Sequence, residues 1–236
     1  MHRRSGLFGV LYISLIAAIA AYFFRATSVS GGSPIPLAAF SVIMTLVFLL
    51  AAVSLEKESA FSGVYSASAR DLAASVLGAL AMATGCALSL PRFGTPVTMQ
   101  VFASGAVSVV GLLGAAGLAA AAIVRARGSR PMAALYVFAV LFYVGKLFLD
   151  FRRWMHDPAI LDYCYSLFAL ISFMLATYHA GAFCFDRGAR RRLAFFSLTG
   201  VLFGAISLVG AELAQLLIMG GSMLWMLACA GQVMKK

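Results

Sequence analysis

The chain has 236 residues, of which 63% are hydrophobic and 11% charged, and its mean hydropathy is +0.98. A soluble domain usually carries about 25% charged residues, so this composition excludes a water-soluble globular protein. The net charge of +10 does not indicate nucleic-acid binding, because the basic residues stand in short clusters between apolar runs, as membrane topology signals do.

The apolar runs predict an all-α polytopic transmembrane helix bundle. A helix needs roughly 20 mostly apolar residues to cross a hydrocarbon core of ~30 Å, and continuous rather than alternating runs exclude a barrel. We place eight spans at 7–24, 37–54, 72–90, 97–124, 131–149, 160–185, 193–209 and 213–233. The last connector is very short, so the alternative is seven spans, with residues 193–233 forming one re-entrant unit.

The first apolar run follows basic residues and has the outline of a signal peptide. However, it is longer than the usual hydrophobic region of ~7–15 residues, so we expect a retained first span. With eight spans both termini lie on one side, which collects all but five of the 18 basic residues. The positive-inside rule makes that side cytoplasmic, in a plasma or inner membrane. The five exceptions are Arg25, Arg92, Lys146, Arg152 and Arg153.

The order of the spans indicates an internal duplication. The last four spans start 124, 123, 121 and 116 residues after the first four, and Leu11-Tyr12 recurs as Leu135-Tyr136. We therefore divide one membrane domain into two parallel four-helix halves, 1–125 and 126–236. Coincidence among similar apolar hairpins is the alternative. The second half carries most of the intramembrane polar residues.

Two charged residues, Lys146 and Asp150, stand inside the fifth predicted span. Four residues apart, they share one face of a helix, and Lys146 lies ~12 Å below Trp154 at the interface. A charge at the membrane centre costs ~3 kcal/mol or more, and pairing offsets much of that cost. Either Lys146 snorkels to the outer surface and the pair anchors the helix, or the pair faces the interior and lines a solute pocket open to the outside.

The same outer layer holds four further polar residues that we predict as secondary substrate-binding residues. They are Tyr163, Tyr165, Glu212 and Gln215. A pocket of mixed charge with tyrosines suits a small zwitterionic or anionic solute.

The cytoplasmic side carries two more candidates. His179 lies ~10 Å inside the boundary, where it either relays protons, since its charge changes near neutral pH, or only hydrogen-bonds a neighbour. Four arginines form a topology anchor that also contacts anionic lipid headgroups: Arg187, Arg190, Arg191 and Arg192. The connector 56–71, which contains Phe61, Val64 and Tyr65, is expected to lie along the cytoplasmic surface.

The fourth predicted span is rich in glycine, at Gly105, Gly111, Gly114 and Gly117. Small residues let helix backbones approach closely. This span is therefore predicted either to pack at the bundle centre or to form the seam with a second copy or another membrane protein.

The sequence lacks the GxSxG, HExxH and P-loop motifs, and its four cysteines form no CxxC. We therefore predict no enzyme activity, no metal and no cofactor. The predicted function is the handling of a small polar solute, as a transporter or as the membrane-embedded substrate-binding subunit of one. The alternative is a non-catalytic assembly or regulatory protein whose charges only anchor helices, and a membrane enzyme ranks third.

Overall fold

The computed structural model of the chain describes residues 2–65, 69–91, 98–154 and 160–234. The predicted start of the fourth span at residue 97 lies outside these ranges. Three of the basic residues counted above also lie outside them: Arg92, Lys235 and Lys236.

The described residues form helices joined by short connectors, which confirms the predicted all-α bundle. The helices are α1 (His2–Val29), α2 (Ile35–Ser54), α3 (Phe61–Val64), α4 (Ala69–Leu88), α5 (Met99–Ala126), α6 (Ala134–Trp154), α7 (Ile160–Ala182), α8 (Arg190–Ser207) and α9 (Leu213–Met234). A single 3-10 turn, Phe183–Phe185, follows α7.

Seven of these helices are long and apolar enough to cross a membrane: α1, α2, α4, α5, α6, α7 and α9. The chain is therefore an integral membrane protein. The remaining long helix, α8, is less apolar because its 18 residues begin with three arginines. Its length of about 27 Å, at 1.5 Å per residue, still matches a hydrocarbon core of ~30 Å.

Helix α8 packs against α1, α2, α7 and α9, and most of its residues are buried. A turn with Gly210 at φ +75° separates α8 from α9. Because Arg190 contacts Val233 and Gly204 lies against Met223, the two are separate antiparallel helices. Eight spans, and the alternative of seven with a re-entrant unit, both stay predictions.

Neighbouring long helices run in opposite directions, so the bundle has two ends. Leu11 of α1 lies near Gly231 of α9, and the described chain therefore begins and finishes at the same end. We call this the basic end, because it holds most of the described basic residues. These are Lys57, Arg70, Arg125, Arg127, Arg130, Arg187, Arg190, Arg191 and Arg192, whereas Arg25, Lys146 and Arg152 belong to the opposite end.

The glycine-rich face of α5 is occupied by helices of the same chain. A Cβ atom on Gly111 would meet Cys86 and Phe142, and one on Gly117 would overlap the Leu135 carbonyl oxygen. These glycines therefore allow α5 to pack closely against α6. The alternative, a seam with a second copy or another membrane protein, stays a prediction.

The division into halves 1–125 and 126–236 also stays a prediction. Helices from the two halves pack directly against each other, α4 against α9 and α1 against α8. The chain therefore forms one packed body in the membrane.

Candidate functional site

Lys146 and Asp150 form an ion pair on α6, near the opposite end of the bundle. The Lys146 Nζ lies 3.1 Å from Asp150 Oδ2 and 3.4 Å from Oδ1. The two side chains are only 18% and 16% exposed. Most of this couple is therefore covered by the protein itself.

The couple lies on the face of α6 that points into the bundle. Tyr143, three residues before Lys146, is fully buried and donates a hydrogen bond of 2.9 Å to Ser222 of α9. The Tyr143 hydroxyl also lies 3.8 Å from the Met82 sulfur of α4. Since residues three and four apart share a helix face, both charged side chains lie on the side that faces α4 and α9.

The lipid-facing side of α6 is apolar and lies on the other side of the helix. It carries Leu141, Val144, Phe148 and Phe151, which are all exposed. At 3.6 residues per turn, Lys146 and Asp150 are roughly half a turn away from this stripe. The couple therefore lies away from the lipid-facing stripe, and a solute pocket beside it stays a prediction.

The four secondary residues lie at the same end, on α7 and at the start of α9. Tyr165 is half-buried and packs against Phe203 of α8, with ring centroids 6.4 Å apart. Tyr163 is half-buried on α7. Glu212 is exposed just before α9, and its backbone carbonyl accepts a hydrogen bond from Leu216. Gln215 is half-buried in the first turn of α9. Their role in substrate binding stays a prediction.

His179 packs as an aromatic side chain. It is about nine-tenths buried, and its ring is stacked on Phe196 of α8 at a centroid distance of 5.9 Å and an interplanar angle of 9°. This contact gives the side chain a packing role. A proton relay through His179 stays a prediction.

The arginines at the start of α8 divide into two pairs. Arg190 is buried and its Nε donates to the Val233 carbonyl at 2.9 Å, while the Arg191 Nε donates to the Leu55 carbonyl at 2.8 Å. Both therefore connect segments of the chain. Arg187 and Arg192 are exposed. A cavity of about 400 Å³ beside them is lined by Lys57, Glu58, Ser59 and residues 188–192.

The connector after α2 is folded into the basic end instead of lying on its surface. Phe61, Val64 and Tyr65 are all buried, because burying these apolar side chains removes them from water. Asp186 holds the segment in place: its Oδ1 accepts a 2.8 Å hydrogen bond from the Phe61 N–H, and its Oδ2 lies 2.6 Å from Arg130 Nη1. The Phe61 N–H and then the Arg130 guanidinium lower the pKa of Asp186.

A second polar cluster, which the sequence did not reveal, surrounds Arg125 at the basic end. Arg125 is 4% exposed, and its Nη1 donates to Gln232 Oε1 at 3.3 Å and to Cys229 Sγ at 3.8 Å. Its guanidinium carbon lies 4.9 Å from the ring centroid of Tyr65 and 5.6 Å from that of Trp225. The ring of Tyr136 lies edge-on to Trp225 at 6.4 Å. We call Arg125, Tyr65, Tyr136 and Trp225 the arginine cluster.

Each residue of the arginine cluster has a buried polar atom without a hydrogen-bond partner in the described part of the chain. These atoms are Arg125 Nη2, Tyr65 Oη, Tyr136 Oη and Trp225 Nε1. Burial raises the pKa of Tyr65 well above its usual value, so its hydroxyl keeps the proton and can donate. An unsatisfied buried group costs about 1–3 kcal/mol. Four such groups therefore lie in one cluster at the basic end.

No signal in the sequence marks this cluster, because its members come from four separate segments. In the sequence, Arg125 is only one of the basic residues that the positive-inside rule counts. Tyr65 belongs to a connector that is expected at the surface. Trp225 and Gln232 are seven residues apart and so share a face of α9, which is the one spacing that could have drawn attention to them.

No known protein family, curated protein sequence or solved structure matches the chain. Within the described residues, no group of three His, Cys, Asp or Glu side chains is placed to bind a metal ion. The four cysteines are free thiols.

Proposed function

We propose that this integral membrane protein binds or transports a small zwitterionic or anionic solute, and that Lys146 and Asp150 recognise its charged groups. The observation that carries this proposal is the position of the couple. A pair that only anchored the helix would sit towards the headgroups, where Lys can snorkel. This pair lies on the buried face of α6, half a turn from the lipid-facing stripe.

A row of polar side chains on α6 supports the same function. Tyr143, Lys146 and Asp150 are spaced by three and four residues, so they lie on one face of the helix. This row ends at the charged couple near the opposite end of the bundle. Polar groups inside a membrane are costly and typically mark solute or ion pathways.

The test is uptake of a panel of radiolabelled amino acids and small organic acids into proteoliposomes that contain the full chain. We expect at least one solute to accumulate, and Asp150→Asn to reduce its uptake at least tenfold, because Lys146 loses its counter-charge and the solute loses a recognition group. Arg152→Gln is the matched control, since Arg152 is an exposed charge on the same helix. Its uptake should stay within twofold of the wild type.

Equal uptake by the wild type and Asp150→Asn would contradict the proposal. The couple would then be a helix anchor, and the chain a non-catalytic assembly or regulatory protein. Failure of every solute in the panel to be bound or taken up would count against a solute-handling role in the same way.

We further propose that the basic end faces the cytoplasm, so that both termini are cytoplasmic and the bundle lies in a plasma or inner membrane. The excess of Lys and Arg at that end supports this orientation. The exposed Arg187 and Arg192 would then contact anionic headgroups, at about 1 kcal/mol per charge. A reporter tag after residue 236 should be detected in the cytoplasm, and its detection outside would reverse the orientation.

A further inference from the structure

We propose that the arginine cluster is a binding site for a small monocarboxylate that enters from the basic end. This site is separate from the Lys146–Asp150 couple and does not depend on the function proposed for it. The inference rests on the charge, the unpartnered donors and the aromatic surroundings of Arg125.

The first step is the charge of Arg125. A guanidinium stays protonated in proteins, and this one is more than nine-tenths buried. Its hydrogen bonds go to neutral acceptors: the Ala121 carbonyl, Gln232 and Cys229. No ion pair in the described part of the chain includes Arg125. A buried charge needs a counter-charge to be stable, and a bound anion would provide it.

The second step is the kind of polar atom left over. Arg125 Nη2 and Trp225 Nε1 can only donate hydrogen bonds, and the hydroxyls of Tyr65 and Tyr136 can donate as well. All four side chains are more than nine-tenths buried. Donors without acceptors call for a ligand with several acceptor lone pairs, such as a carboxylate. A cation or a second donor group would leave Arg125 Nη2 and Trp225 Nε1 unsatisfied.

The third step is the arrangement of the rings. The faces of Tyr65 and Trp225 lie 4.9 and 5.6 Å from the guanidinium carbon, within cation–π distance. These contacts and the bonds to Gln232 and Ala121 hold the guanidinium in one orientation. Nη2 is therefore fixed before a ligand binds, which lowers the entropic cost of binding. The aromatic surfaces also suit the apolar part of a small organic acid.

The net charge selects a monoanion over a phosphate dianion. Arg125 contributes one positive charge to the cluster. A dianion would leave excess negative charge in this buried site, whereas a monocarboxylate would balance the guanidinium.

The experiment is a fluorescence titration of the purified full chain in detergent. The chain has two tryptophans, so a Trp154→Phe background leaves Trp225 as the reporter inside the cluster. Acetate, propionate and benzoate are titrated at constant ionic strength, with chloride and inorganic phosphate as comparison anions. We expect a saturable change in Trp225 emission with at least one monocarboxylate, and weaker or no binding of chloride and phosphate.

Variants in the same background decide whether the cluster is the site. Tyr136→Phe, which removes one donor, should raise the Kd of the bound carboxylate about tenfold, and Arg125→Gln should abolish binding. Tyr178→Phe is the matched control, because the side chain of Tyr178 is exposed on α7 and is not one of the cluster's residues. Its Kd should stay within twofold. If Arg125→Gln does not fold, the two tyrosine variants still decide the question.

Three results would overturn the proposal. The first is the absence of a saturable response to any monocarboxylate, which would assign the four donors to buried water. The second is an equal or tighter response to chloride or phosphate. The third is an unchanged Kd in Tyr136→Phe. None of these bears on solute uptake through Lys146 and Asp150, so failure here is distinguishable from failure of the proposed function.

Discussion

Two tyrosines on α6 differ in what their hydroxyl groups contact. The Tyr143 hydroxyl donates to Ser222 at 2.9 Å, whereas the buried Tyr136 hydroxyl has no partner in the described part of the chain. Removing a satisfied hydroxyl loses a hydrogen bond of about 1 kcal/mol, while removing an unsatisfied one relieves a desolvation penalty. We therefore expect Tyr143→Phe to lower the free energy of unfolding by about 1 kcal/mol, and Tyr136→Phe to leave it unchanged or raise it.

Chemical unfolding of the purified protein, in detergent and without added carboxylate, measures both values. Equal destabilisation by the two variants would show that the Tyr136 hydroxyl has a partner. The arginine cluster would then have one donor fewer for a ligand.

The spacing along one helix decided which polar residues could be predicted. Lys146 and Asp150 are four residues apart, so helical geometry predicts that they pair. The structure contains this ion pair. The partners of Arg125 come from the connector and from α6 and α9. A single sequence contains no signal for contacts between such distant segments. In the sequence, Arg125 therefore cannot be distinguished from an exposed arginine that only sets the membrane topology.

At the level of helices, the crossing of α4 and α9 depends on two glycines. A Cβ atom on Gly78 would lie 2.6 Å from the Gly221 carbonyl oxygen, and one on Gly221 would lie 2.5 Å from that of Gly78. Because both obstacles are backbone atoms, an added methyl group must push the helices apart. We expect Gly78→Ala or Gly221→Ala to lower the free energy of unfolding by about 1–3 kcal/mol.

Gly220→Ala is the control, since a Cβ atom there meets nothing within 4 Å. It should leave stability unchanged or raise it slightly, because alanine favours the helix by about 1 kcal/mol. Thermal unfolding in detergent compares the three variants. If Gly78→Ala were as stable as Gly220→Ala, the close approach of α4 and α9 would be wrong.

The connector before α4 should release from the basic end in acid. The pKa of Asp186 is lowered by the Phe61 N–H and by Arg130, so the stabilisation exists above the ordinary pKa of about 3.9 and is lost as the pH falls through the lower folded value. The protection of the Phe61 amide, which is its exchange rate relative to that of an unstructured peptide at the same pH, should fall below about pH 4. In Asp186→Asn this amide should exchange faster at pH 7 and lose the acid dependence. Identical pH profiles in both proteins would contradict the role of Asp186.

Hydropathy predicted the long helices of the bundle, including α8 as the span 193–209. α2 has the highest hydropathy of the seven spanning helices and little of it is buried, so its signal was strong. α8 is covered by four other helices, and the three arginines at its start lower its mean hydropathy. A turn that contains Gly210, with a positive φ, separates α8 from α9.

On the scale of the whole molecule, the bundle has a polar centre near each end. The Lys146–Asp150 couple lies near the opposite end and the arginine cluster near the basic end, and α6 contributes to both. Along α6, Tyr136 and Lys146 are ten residues apart, or about 15 Å. Composition and periodicity predicted the all-α membrane bundle and the first centre. The second centre depends on how helices from both halves of the chain pack together.

The central claim is that Lys146 and Asp150 recognise a solute, in addition to neutralising each other's charge. The most direct test exchanges the two charges, Lys146→Asp together with Asp150→Lys, which keeps an ion pair at the same two positions. We expect the exchanged protein to fold with a Tm within a few degrees of the wild type, yet to lose uptake of the solute that the wild type accepts. Full uptake by the exchanged protein would contradict the claim, because a pair that works in either orientation is only an anchor.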